Sequence, residues 1–196
     1  MNYLLYMKYL FENWRSFLLT EALSDYEVNG AIRLYHYSKS SEQKLTLDPD
    51  YFLQHRHSYS RRDYEASDLP RVFFYTNLDH AERMVKEGSS LFSVFVPTNQ
   101  IYDLAQDPLG LIKKSVVPGR VTPDVDAILR SLAGVPRQSK YGAPPKLLIE
   151  PGESQYRGAF YRTGNMDIVV WFEPIEVEKF NPDDVESGQG KENENQ

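Results

Sequence analysis

The sequence predicts an α+β domain: mostly antiparallel short strands with a few helices. Short runs rich in β-branched and aromatic residues recur along the chain, and two segments between them carry helix start and stop signals. An apolar share of 41%, with 14 Tyr and 10 Phe, is enough to build a proper core. A length of 196 residues predicts one domain with tails at both ends.

Residues 31–37 (AIRLYHY) alternate in polarity and read as a half-buried strand. Residues 45–49 form a short extended piece entering a turn, while 51–67 are polar and aromatic with no assignable period. Residues 71–75 (RVFFY) make a strongly apolar strand. Thr76-Asn77-Leu78-Asp79 then supplies a cap and an acid in the first turn, so a helix should run to about Glu87 and stop at Gly88. Residues 91–96 (LFSVFV) and 100–104 are two further strands, separated by Pro97-Thr98-Asn99. Thr122 as cap and Pro123 at the first helical position start a second helix, which closes near Gly134. Residues 135–145 are a loop bearing Arg137, Lys140 and Tyr141. Residues 155–161 and 167–172 complete the strands, the second continuing past Pro174 to Val177.

The chain has no cysteine, which excludes disulfides, thiolate metal sites and a cysteine nucleophile. Its net charge of -6 is held at the ends: two basic and four acidic residues precede Gly30, and one basic and five acidic follow Phe180. The 19 basic and 19 acidic residues between them balance, so charge does not predict strong nonspecific nucleic-acid binding. Residues 181–196 (NPDDVESGQGKENENQ) hold a single aliphatic side chain, Val185, and are expected to be a disordered acidic tail.

Residues 1–21 read as a separate segment. Met7, Leu10, Phe11, Trp14, Phe17 and Leu18 share one helical face, and the helix ends in Leu19-Thr20-Glu21 before the small residue Ala22. The apolar run is interrupted by Glu12, Asn13 and Arg15, so it is neither a secretory signal nor a membrane span. Two basic residues, Lys8 and Arg15, give little attraction to a membrane surface. The segment resembles the capsid-targeting peptides of T-even-like tailed phages, which the phage prohead protease cuts after Leu-x-Glu. That resemblance implies binding to the prohead scaffold, cleavage after Glu21, packaging inside the phage head and delivery to the host cytoplasm. The alternative is an amphipathic helix packed on its own domain.

Residues 22–180 form the domain proper. Tyr35-His36-Tyr37-Ser38 on the first strand, then Phe73-Phe74-Tyr75-Thr76 opening a helix, then a glutamate late in the chain, follow one another in order. In that order they resemble the His-Tyr-Glu class of ADP-ribosyltransferase-like domains over 31–177. The resemblance implies a split sheet, NAD as substrate and no metal. It further implies that His36 donates to the adenosine-side ribose while neighbouring backbone at Tyr37 grips the carboxamide. Ser38 would bond a ribose or phosphate oxygen, Tyr75 would stack on nicotinamide, and Arg61 and Arg62 would meet the pyrophosphate. Glu173 would stabilise the positive charge that develops as nicotinamide leaves, with Glu176 or Glu178 as substitutes. Two departures stand out: Tyr37 replaces the glycine that often follows the histidine, and Pro174 follows Glu173. The acceptor would be a host protein or nucleic acid.

Other constellations have weaker chemistry. His55-Arg56-His57 places two imidazoles at alternate positions, but no third ligand stands at a recognised metal spacing. Ser38, Ser58 or Ser60 beside His36 lack a nucleophile elbow, and isolated glycines make no phosphate loop. Tyr59 and Tyr64 with Arg56, Arg61 and Arg62 form an aromatic-basic run diluted by Asp63, Glu65 and Asp68. The rival function is noncatalytic: an internal head protein, or an injected inhibitor that binds a host protein.

Overall fold

Alternate burial along AIRLYHYS makes β2 (Ala31–Ser38) the middle of the sheet, with Ile32, Leu34 and His36 turned to one face. The computed structural model describes residues 22–54, 69–85, 87–116, 123–136, 147–150, 152, 154–163 and 166–181. The segment 1–21 expected to be a targeting helix, the 55–68 run with Arg61 and Arg62, most of the expected 135–145 loop and the tail from 182 lie outside the described residues.

The other strands are β1 (Glu27–Val28), β3 (Lys44–Leu47), β4 (Val72–Tyr75), β5 (Ser90–Pro97) and β6 (Ile101–Asp103). They are followed by β7 (Gly158–Thr163), β8 (Met166–Trp171) and β9 (Ile175–Lys179). They form one sheet in the order β3-β9-β5-β2-β4-β8-β7-β6, with β1 added beside β2. Only β6 and β7 run parallel, so the mixed, mostly antiparallel class expected from the sequence is the one observed. Asn29 and Gly30, both at positive φ, turn β1 into β2 in a tight hairpin.

The middle of the sheet is its weakest seam. β2 pairs with β5 from Ala31 opposite Pro97 through to Ser38 opposite Ser90, but meets β4 only where Tyr35 faces Tyr75. The sheet therefore divides into two halves, β3-β9-β5-β2 and β4-β8-β7-β6. One core includes residues of both: Ile32, Leu34, Phe92 and Val177 from the first half, and Phe74, Val169, Trp171 and Phe160 from the second. On the reverse face of the second half, Tyr102, Ala159 and Val170 pack against helix α4 (Val125–Ala133) through Ile128, Leu129 and Leu132.

The remaining α-helices among the described residues are α1 (Pro49–Gln54), α2 (Leu78–Met84) and α3 (Leu111–Ser115). Asn77 caps α2 as expected by accepting from the His80 amide, but the helix ends at Met84, before Gly88, because Val85 adopts extended backbone. The second predicted helix begins later than expected. Asp124, and not Thr122, is its cap, accepting from the Ala127 amide at 3.1 Å, and Gly134 closes it in the left-handed region. The last strand also differs: β8 stops at Trp171, and after Pro174 the chain crosses to the other half, where β9 pairs with β3 and β5. Proline has no amide to donate, which suits a break between two strands and not the continuation of one.

Candidate active site at the end of β2

A cleft of about 750 Å³ opens where β2 ends, between that strand, β3 and α1. His36, Tyr37 and Ser38 line it from β2, Lys39 and Ser40 from the turn that follows, and Asp48, Tyr51 and Phe52 from the β3–α1 side. His36 is only 8% exposed, packed edge-on against Phe52 and Phe74 with ring centroids 5.7 Å away in each case. Its Nδ1 lies 2.9 Å from the Phe73 carbonyl of β4, across the seam where ladder pairing is lost. A carbonyl can only accept, so Nδ1 carries the proton and donates. Burial disfavours the imidazolium and holds the His36 pKa down to about 4, an effect the hydrogen bond to Phe73 only partly offsets. The ring is therefore neutral near pH 7. Its Nε2 is an acceptor and makes no hydrogen bond among the described residues.

This geometry reverses the expected role of His36. With Nδ1 committed to Phe73, the ring can receive a hydrogen bond from a ribose hydroxyl but cannot donate one into the cleft. Ser38 Oγ accepts from the Ser40 amide at 3.3 Å and Ser40 Oγ from the Glu42 amide at 3.2 Å. Both hydroxyls keep their own hydrogen for a ligand acceptor. Tyr51, 54% exposed, and the half-buried Tyr37 give the cleft aromatic surface, and Lys39 adds a cation.

Tyr75 does not line the cleft. It stands on the sheet face opposite His36, and its ring stacks behind Tyr37 with centroids 6.3 Å apart and planes at 24°. Burial, with the neighbouring Tyr37 phenol, pushes the Tyr75 hydroxyl up to about 12. Its place is that of a buttress for Tyr37. The late glutamates are also elsewhere. Glu173 lies 3.5 Å from Arg157, while Glu176 and Glu178 share Lys44 at 3.4 and 2.8 Å. Glu178 faces Ser93, which faces Tyr35, so it shares that residue's sheet face and turns away from His36. Alternation along β9 is the reason for Glu176 and Glu178, since it turns Val177 into the core beside Phe92 and both carboxylates to the opposite face, while Glu173 precedes β9 altogether.

Of the residues expected in the site, the cleft thus brings together His36, Tyr37 and Ser38, and leaves out Tyr75 and Glu173. It adds Asp48, Tyr51 and Phe52, which sequence reasoning missed. The signal for them was present: Asp48-Pro49 is a helix start, with a capping side chain followed by proline at the first helical position. Among the described residues no group of His, Asp and Glu is placed to hold a metal ion, and His55 and His57 lie outside those residues. No helix among them is long and apolar enough to cross a membrane. No family model, curated protein or solved structure matches the chain.

Proposed function

We propose that the cleft binds NAD and that the chain transfers ADP-ribose from it to a host protein or nucleic acid, after delivery inside a phage head. The observation that carries this is His36: a buried, neutral imidazole with one nitrogen tied to Phe73 and the other free to receive a sugar hydroxyl. Around it stand the complements of a dinucleotide: aromatic rings for a base, serine hydroxyls and Lys39 for phosphate oxygens. A sheet parted between β2 and β4 beside that histidine also agrees with the split sheet the resemblance implies. Delivery is supported at the start of the fold. A cut after Glu21 would leave the Ala22 nitrogen as a free amine 2.8 Å from an Asp25 carboxylate oxygen.

The test is NAD binding and turnover by the intact chain, with His36→Asn as control. Asparagine keeps an amide donor for Phe73 but presents no Nε2. The wild type should gain thermal stability with NAD and release nicotinamide, and labelled NAD in a bacterial lysate should mark the acceptor. Both effects should vanish in the control. A noncatalytic, host-protein-binding reading is favoured by one observation, that all three late glutamates lie outside the cleft. It gains if the wild type neither binds NAD nor releases nicotinamide.

A further inference from the structure

We infer that Asp48 is the carboxylate that meets the reacting ribose in this cleft, the role the resemblance implies for Glu173. This rests on the NAD reading above. Among the described residues that line the cleft, Asp48 is the sole carboxylate, and it reaches the cleft from the β3–α1 junction while His36 reaches it from β2. Glu173 is held by Arg157, and Glu176 and Glu178 by Lys44, whereas Asp48 has no cationic partner among the described residues. Asp48 is exposed at the edge of the cleft, so its carboxylate faces any ligand seated there and can offset positive charge that develops on it.

Asp48 has a structural task as well. Its Oδ1 accepts from the Asp50 amide at 2.9 Å at the start of α1. Oδ2 makes no hydrogen bond among the described residues. Capping asks only for a side-chain oxygen, and asparagine caps as well as aspartate. The negative charge is thus surplus to the fold and available to the ligand.

In the step it would serve, the bond from the ribosyl carbon to the nicotinamide ring nitrogen breaks. The electron pair goes to that nitrogen, which turns the pyridinium into neutral nicotinamide. The ribosyl carbon takes on positive charge beside Asp48. An acceptor oxygen or water then bonds to that carbon and gives its proton to solvent. His36 Nε2 holds a ribose hydroxyl throughout and changes no charge.

The variants that decide this are Asp48→Asn, Asp48→Ala and Glu173→Gln in the full chain, each measured for thermal midpoint, NAD affinity and nicotinamide release. Asp48→Asn should keep the wild-type midpoint and bind NAD within about threefold, but release nicotinamide roughly 100-fold more slowly, the scale of losing one electrostatic stabiliser. Asp48→Ala should show the same slow release with a lowered midpoint, and Glu173→Gln should release at the wild-type rate. Wild-type release from Asp48→Asn overturns the assignment, as does slow release from Glu173→Gln, and NAD turnover by the wild type then leaves the transferase reading standing. A loss confined to NAD affinity in Asp48→Asn also overturns it. A wild type that neither binds nor cleaves NAD removes the reading beneath it and the assignment with it.

Discussion

Lowering the pH from about 7 to about 4 protonates His36 in the unfolded chain, where its pKa is ordinary, before it does so in the folded domain. Burial among Phe52 and Phe74 holds the folded value down to about 4, against 6.5 for the free side chain. Between those values the unfolded state binds a proton that the folded state refuses, so stability falls as the pH falls. The contribution is whole above 6.5 and is lost as the pH approaches 4. That gap corresponds to roughly 3 kcal/mol, a sizeable share of a domain's usual margin. Urea unfolding at several pH values, on wild type and on His36→Asn, isolates the effect. Groups other than His36 that titrate in this range are the same in both proteins and cancel in the comparison. The wild type should lose about 3 kcal/mol more than the variant between pH 7 and 4. Parallel curves would refute the claim that His36 is buried and neutral.

Two further perturbations probe how the halves of the sheet are held. A Cβ added at Gly158 would lie 2.7 Å from both the Trp171 ring and the Val170 carbonyl, so Gly158→Ala should lower stability. Overpacking of this kind costs about 1–3 kcal/mol, read as a shifted denaturant midpoint. Asp103 accepts from the amides of Leu23 and Ala105, both buried, at 3.2 and 2.8 Å. Asp103→Ala should cost on the order of 2–4 kcal/mol through two unpaired donors, and hydrogen exchange at Leu23 should accelerate. A wild-type exchange rate there would show that Asp103 does not anchor this turn.

Much of the fold was legible in the residues. The alternation of AIRLYHYS, the apolar VFFY strand, the Asn77 cap and Gly134 all act within a few positions of themselves, so they mark elements wherever those elements end up. Misplaced boundaries came from competing local signals. Thr122-Pro123 and Asp124 both offer a helix start, and it is the Asp124 carboxylate that accepts from the Ala127 amide. The aromatic 51–67 run hid α1, whose opening Asp48-Pro49 was read as a turn.

The candidate site was half legible for the same reason. His36, Tyr37 and Ser38 are consecutive, so one strand end delivers them together. Tyr75 and Glu173 were assigned by their order in the chain, and order does not say which sheet face or which half a residue joins. By itself the sequence determined the class of the fold, most of the strands, and α2 and α4 but not α1 or α3, because periodicity and capping are properties of neighbouring residues. Only the tertiary structure decided that β9 leaves β8 for the far half-sheet, that β2 and β4 meet at one pair, and that His36 is sealed neutral beside Asp48's cleft. Those outcomes depend on which distant apolar faces bury one another, and no local pattern encodes that choice.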